Sequence, residues 1–187
     1  SNNSVSASGY RYYKWGGDWG EGGGIYAPIP SKGVNISKNA ISNNSASDYG
    51  GAIYAPNTLI DQNIITGNSA TEGGGIYRGN IVSGNTINNN SATTGGGIYE
   101  GNTIRGNIIT NNSAAQGGGI YEGSTISGNT ITNNLASSEG GGIYGGEIIT
   151  NNTITGNSVS EGDGKAGGIY ISSQPTINYN NIYNNAP

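Results

Sequence analysis

GGGIYEGNTIRGNIITNNSAAQ, residues Gly95–Gln116, is followed at once by a near-copy of itself starting at Gly117. Looser copies run to either side, so the chain is one unit written about seven times. Internal repetition outranks local propensity here, because missing it mis-assigns the whole fold. Anchored on an Ile-Tyr pair, the copies place tyrosine at Tyr26, Tyr54, Tyr77, Tyr99, Tyr121, Tyr144 and Tyr170, with spacings of 28, 23, 22, 22, 23 and 26. The middle is nearly regular and the ends carry small insertions.

Further columns follow from that alignment. Ile precedes every one of these tyrosines, from Ile25 to Ile169. A second apolar column reads Ile36, Ile60, Val82, Ile104, Ile126, Ile149 and Ile177, and a third, five residues on, runs from Ile41 to Ile182. Between them lies an asparagine column: Asn39, Asn63, Asn85, Asn107, Asn129, Asn152 and Asn180. A second asparagine column, Asn44 to Asn185, follows the third apolar one. No column breaks across seven copies.

Each copy holds three short β-branched segments separated by Gly or Asn. None is long enough for a helix, and Gly, Asn, Ser and Thr are poor helix formers. Three short strands and three corners make one turn of a solenoid. Stacked turns pair each strand in parallel with its copy above, about 4.8 Å away, so seven turns span roughly 34 Å. The isoleucine columns become inward ladders, since a lone turn cannot bury its apolar face. The asparagine columns suit the corners: Asn tolerates left-handed backbone, and stacked amides bond along the axis. The Gly pair before each Ile-Tyr permits a bend that a Cβ would block. No Asn-Gly dipeptide occurs, which argues against a hairpin meander. The expected fold is all-β: a right-handed parallel β-helix of three sheets and about seven turns.

Gly50-Gly51-Ala52-Ile53-Tyr54, followed by Ile60-Asp61-Gln62-Asn63, resembles the GGA(I/L/V) and FxxN repeats of chlamydial polymorphic outer-membrane proteins. More broadly, Gly22 to Pro187 is similar to right-handed parallel β-helix repeat proteins of bacterial and archaeal surfaces. The resemblance implies surface exposure and adhesion as possibilities and implies no reaction. The chain departs from the chlamydial pattern in having no Phe, Ile standing in its place.

Composition narrows the function classes. The 187 residues suit one domain and carry a net charge of −4 with 7 Lys+Arg, so no basic nucleic-acid footprint exists. No apolar run reaches membrane-span length. Cys, Met and His are absent. The chain does not start at its own initiator: either a signal peptide was removed, which is the expected reading, or the chain is a piece of a longer protein cut at a repeat boundary.

Residues 1–21 are expected to form a partial turn with an aromatic insertion, preceding β-helix repeats over 22–187. Asn2-Asn3-Ser4 repeats the corner phrase Asn43-Asn44-Ser45, and Asn184-Asn185 ends the chain at the same phase. Open rims template pairing, so head-to-tail stacking of copies into a filament is expected. The insertion carries Tyr10, Tyr12, Tyr13, Trp15 and Trp19. These suit either a shield or subunit contact over the first rung or a glycan-binding surface. The tyrosine column points outward if Ile points inward. It reads as a stiffening stack, or else as an adhesive face.

Chemistry is sparse. Glu100 and Glu122 occupy equivalent positions in adjacent turns, the spacing at which paired acids could do acid–base work; their column is variable and reads as surface. Without His there is no triad and no His-metal site. Glu161-Gly162-Asp163-Gly164 hints at a calcium loop but lacks the nonapeptide repeat. No cofactor or metal is expected. Ice binding would need a flat double row of Thr; Ser42, Thr66, Asn88, Thr110, Thr132, Thr155 and Tyr183 supply one broken row. Asn-x-Ser/Thr acceptors stand at Asn2, Asn35, Asn43, Asn89, Asn111 and Asn151. The expectation is an extracellular, non-enzymatic fibre subunit or surface rod that partners itself. An adhesin or glycan-binding passenger is the alternative, and a polysaccharide-active enzyme a weaker one.

Overall fold

The computed structural model describes residues 21–28, 34–160 and 165–187. Asn2, Tyr10, Tyr12, Tyr13, Trp15, Trp19 and the acidic loop at 161–164 lie outside the described residues, as does the partial turn expected over 1–21, apart from Glu21.

Every strand pairing is parallel and in the register of the sequence columns. Ile98 pairs with Ile76 and Ile120, and Tyr99 with Tyr77 and Tyr121. The seven Ile-Tyr strands stack in chain order from Ile25–Tyr26 to Ile169–Tyr170. Seven rungs are thus joined by six windings. No helix is long and apolar enough to cross a membrane.

The core is one apolar column system. Ile25, Ile53, Ile76, Ile98, Ile120 and Ile143 meet the second and third isoleucine columns in a single buried cluster. Each fully buried Ile contributes about 1.5–3 kcal/mol, and a rung supplies three. That repetition offsets the large backbone entropy a Gly-rich chain loses on folding.

The sheets divide the turn differently from the isoleucine columns. Residues Ile76–Ser83 and Ile98–Arg105 run as continuous strands through the first two columns, which joins both into one 12-stranded sheet. The third column forms a 7-stranded sheet. The third sheet lies elsewhere, in Ser113–Gln116, Leu135–Glu139 and Ser158–Val159. There the spacer after the second asparagine corner pairs as strands and buries Ala136 and Val159; in the earlier copies the same spacer pairs through single parallel bridges, as at Ser69 with Ser91 and Glu72 with Thr94.

The corners also differ from expectation. Left-handed backbone falls on the residue before each ladder asparagine, as at Asn89, Asn111, Asn133, Gly106 and Gly128, and on none of the ladder asparagines themselves. The left-handed residue bends the chain, and the residue after it is turned inward, which is why Asn90, Asn112, Asn134, Asn107 and Asn129 are buried.

The middle glycine of each Gly-Gly-x-Ile-Tyr phrase is demanded by its neighbours more than by its own turn. A Cβ on Gly118 would lie 2.4 Å from the Leu135 carbonyl oxygen and 2.6 Å from that of Gly141. The backbones of adjacent turns occupy that space. The first glycine is left-handed, φ about +62° at Gly117. In the last copy Ala166 takes this place at φ 44°, a conformation that L residues adopt at a cost.

Candidate functional site

The structure presents ladders of identical side chains and two kinds of outer surface. Asn63 shows the unit of the first ladder. Its backbone N–H and its Nδ2 both donate to Asn85 Oδ1, at 2.9 and 3.0 Å, and Nδ2 also donates to the Ile36 carbonyl at 2.8 Å. Asn39, Asn85, Asn107, Asn129 and Asn152 each donate in the same way to the next asparagine, ending on Asn180. The second asparagine column forms a matching ladder from Asn44 to Asn185. These buried amides are consumed inside the rod and offer nothing to a ligand.

The two ends of the first ladder differ. Asn39 Oδ1 is buried and takes no hydrogen bond among the described residues. At the other end, the Asn180 side chain donates to the Ile149 and Asn178 carbonyls, while its backbone N–H has no acceptor among the described residues. The rungs differ likewise. Ile25, Ile36 and Ile41 are buried, whereas Ile169 and Ile177 are half-buried and Ile182 is 48% exposed.

The tyrosines form a third ladder on the outer side of the Ile-Tyr strands. Rings from Tyr54 to Tyr144 stack at centroid separations of 4.7–5.2 Å with interplanar angles of 5–13°. Tyr26 is tilted 40° from Tyr54. Both faces of the inner rings are occupied by neighbouring rings, so only edges and hydroxyls remain for contact. Tyr49 adds a ring against Tyr54 and Tyr77, and burial pushes the Tyr77 phenol up to about 12.

Tyr49, paired with Glu21 in the rung before it, belongs to a column that the sequence alignment did not separate out. It aligns with Glu72, Thr94, Gln116 and Glu139, one position before each Gly-Gly. The signal was its fixed distance from the glycines, hidden by the variety of residues. Within it Lys165 pairs with Glu139 at one side, and Gln116 Nε2 donates to Glu139 Oε2 at 2.7 Å. The Lys165 ammonium holds the Glu139 carboxyl below the usual carboxylate range.

Glu100 and Glu122 line one shallow groove with Glu147, Asn102, Ser124 and Ser172. Glu100 is engaged: Arg78 Nε lies 2.8 Å from its Oε2, and the Arg78 guanidinium sits 5.2 Å over the Tyr77 ring. The column that reads as surface decoration is therefore left-handed backbone carrying an ion pair.

Of the glycan-acceptor asparagines, Asn35, Asn43, Asn89, Asn111 and Asn151 are all exposed. The last four occupy the left-handed corner position.

The outer face of the seven-stranded sheet holds more threonine than one column suggests. Each strand reads x-Ile-x, with the central Ile buried in all but the last, where Ile182 is half exposed. Both flanking residues therefore face outward. Beside the row from Ser42 to Tyr183 runs a second: Ala40, Ile64, Thr86, Ile108, Thr130, Thr153 and Asn181.

Residues 40–56 match the Chlamydia polymorphic membrane protein (Chlamydia_PMP) repeat. The matched stretch spans the third isoleucine column, the second asparagine corner and the Gly-Gly-Ala-Ile-Tyr phrase of one copy. No curated protein and no solved structure matches the chain. The structure is a β-solenoid repeat protein carrying a repeat similar to that of the chlamydial surface proteins.

Proposed function

We propose that this chain is an extracellular, non-catalytic structural rod whose copies stack head to tail along the solenoid axis. The observation that supports this most is the repetition of the rungs. Each inner Ile-Tyr strand pairs in parallel register with the one before it and the one after it, so a rung of one copy is the complement of a rung of another. An unpaired parallel edge with exposed apolar side chains is a template for another rung. The unlike ends favour a heterologous contact over a two-fold one, and a heterologous contact that does not close yields a filament. The repeat match supports placing the rod at a cell surface.

The test is negative-stain electron microscopy of purified protein across a concentration series, beside Ile182→Lys. Long rods a few nanometres wide in the wild type, and short particles in the variant with an unchanged melting curve, are expected. Dispersed single particles at every wild-type concentration would overturn the stacking.

The glycan-binding alternative is less favoured on the described surface, because the inner tyrosine rings have no free face for a sugar. Polysaccharide chemistry finds little support in the acidic groove, where Glu100 is tied to Arg78.

A further inference from the structure

We propose that the outer face of the seven-stranded sheet binds ice. This reading uses a different surface from the rims and does not depend on stacking.

The face is a double row on a regular grid. Register pairing places Ile64, Thr86, Ile108, Thr130 and Thr153 in one line, and Thr66, Asn88, Thr110, Thr132 and Thr155 in the other. Rungs repeat at about 4.8 Å, and the two rows stand about 6.6 Å apart, two residues along the strand. None of the 14 outward positions is charged, from Ala40 and Ser42 to Asn181 and Tyr183. Ile64 and Ile108 are 56% and 50% exposed, so methyl groups share the surface with hydroxyls.

Three other occupants fit worse. Without charge the face has nothing for phosphate or an anionic membrane. Its one aromatic, Tyr183, stands on the last rung, so no platform exists for sugar rings. Six rung spacings by the length of a three-residue strand, about 10 Å, give roughly 300 Å², well under the roughly 800 Å² per partner of a stable protein interface.

An ice surface suits what remains. Each Thr hydroxyl has one donor and two acceptor sites, and Thr132 Oγ1 already bonds Thr110 Oγ1 at 3.2 Å along the axis. β-Branched side chains are stiff at χ1, and the ladders beneath hold their spacing. The array is ordered before anything binds, so little side-chain freedom is lost. Immobilising a bridging water from the liquid costs up to about 2 kcal/mol; water in an ice surface is already immobile. A grid that meets many such molecules at once gains contacts on ice that it cannot hold in liquid water.

The test uses the whole chain, labelled with a fluorescent dye and presented to a slowly growing ice hemisphere. Thermal hysteresis is measured on the same samples. Thr110→Lys and Thr132→Lys place a cation at the centre of the face, and Thr125→Lys places one on the neighbouring sheet. Melting curves by circular dichroism establish that each variant is folded. If either central variant is unfolded, Thr130→Tyr, at an exposed position, replaces it. The expected result is incorporation and hysteresis for the wild type and Thr125→Lys, with loss of both in the central variants. Exclusion of the wild-type protein from ice overturns the proposal. So does equal loss in Thr125→Lys and Thr132→Lys.

Discussion

Replacing Asn107 by Ala tests whether the amide ladder holds the rod together. Asn107 is 1% exposed and sits mid-rod. Its Oδ1 accepts from the Asn85 backbone N–H at 2.9 Å and from Asn85 Nδ2 at 3.0 Å. Its Nδ2 donates to the Val82 carbonyl at 2.9 Å and to Asn129 Oδ1 at 3.0 Å. Truncation removes all four. Asn85 Nδ2 keeps the Ile60 and Ser83 carbonyls, and Asn129 Oδ1 keeps the Asn107 backbone N–H. The Asn85 backbone N–H keeps nothing. Leaving one buried donor unmatched costs about 1–3 kcal/mol, and the lost side-chain bonds about 0.5–1.5 kcal/mol each. With three other bonds lost besides that donor, the total is about 2.5–7.5 kcal/mol, large for a single substitution. Asn102→Ala is the control. It too loses a bond to its axial neighbour, Nδ2 to Asn80 Oδ1 at 2.9 Å, but in solvent, so about 0.5 kcal/mol or less is expected. Urea denaturation followed by circular dichroism reads both, comparing midpoints with the slope checked for change. If Asn107→Ala falls within about 0.5 kcal/mol of Asn102→Ala, the ladder carries no stability and the isoleucine columns alone hold the rod.

Gly118→Ala should leave the protein insoluble or unfolded, since its Cβ would enter the Leu135 carbonyl, while Gly106→Ala, with nothing within 4 Å but φ +62°, should cost only about 1–2 kcal/mol; soluble yield and urea midpoints separate them. Ala166→Gly should raise stability by about 0.5–1 kcal/mol, because glycine relieves the left-handed φ of 44°, and an unchanged or lower melting temperature would refute that strain. Because burial raises the Tyr77 phenol from 10 to about 12, the folded state holds its proton longer than the unfolded chain; stability should be full below pH 10 and fall between pH 10 and about 12. Tyr77→Phe should flatten that fall in a series of melts.

The fold was legible because its cause is one-dimensional. Identical residues at a fixed period can satisfy one another only by stacking, so Ile53, Ile76 and Ile98 predict their own contacts. Features that depend on how a turn closes were not legible from the columns. The third sheet arises where Leu135–Glu139 pairs with Ser113–Gln116, and the apolar column that marks that stretch, Ala46, Ala70, Ala92, Ala114 and Ala136, is small enough to pass as a loop residue. The left-handed corner position varies among Asn, Gly, Gln, Lys and Tyr, so the uniform column beside it drew the assignment. The second outward row on the seven-stranded sheet was within reach. Alternation about Ile131 puts Thr130 outward as surely as Thr132, but its column mixes Thr with Ile and Ala. Of the candidate sites, the amide columns were visible and the Arg78–Glu100 pair was not, because one copy supplies the cation and the next the acid.

The direction of the amide ladders bears on assembly. From Asn39 to Asn152 and from Asn44 to Asn157, each asparagine amide-to-amide bond is donated toward the rung that follows in sequence. Such chains of like-oriented amides polarise one another, so the rod carries a sense along its axis that its near-identical turns would otherwise hide. Among the described residues, the first ladder leaves an unmatched acceptor at Asn39 Oδ1 and ends at Asn180, whose backbone N–H is a donor without an acceptor. Two copies brought together by a two-fold axis would set Asn180 donor against Asn180 donor. A joint in the ladder's own sense would set the Asn180 donor toward the Asn39 acceptor. If copies join axially, the hydrogen-bond sense admits only a polar filament, and one made of opposed rods would require the ladder to be broken at the joint.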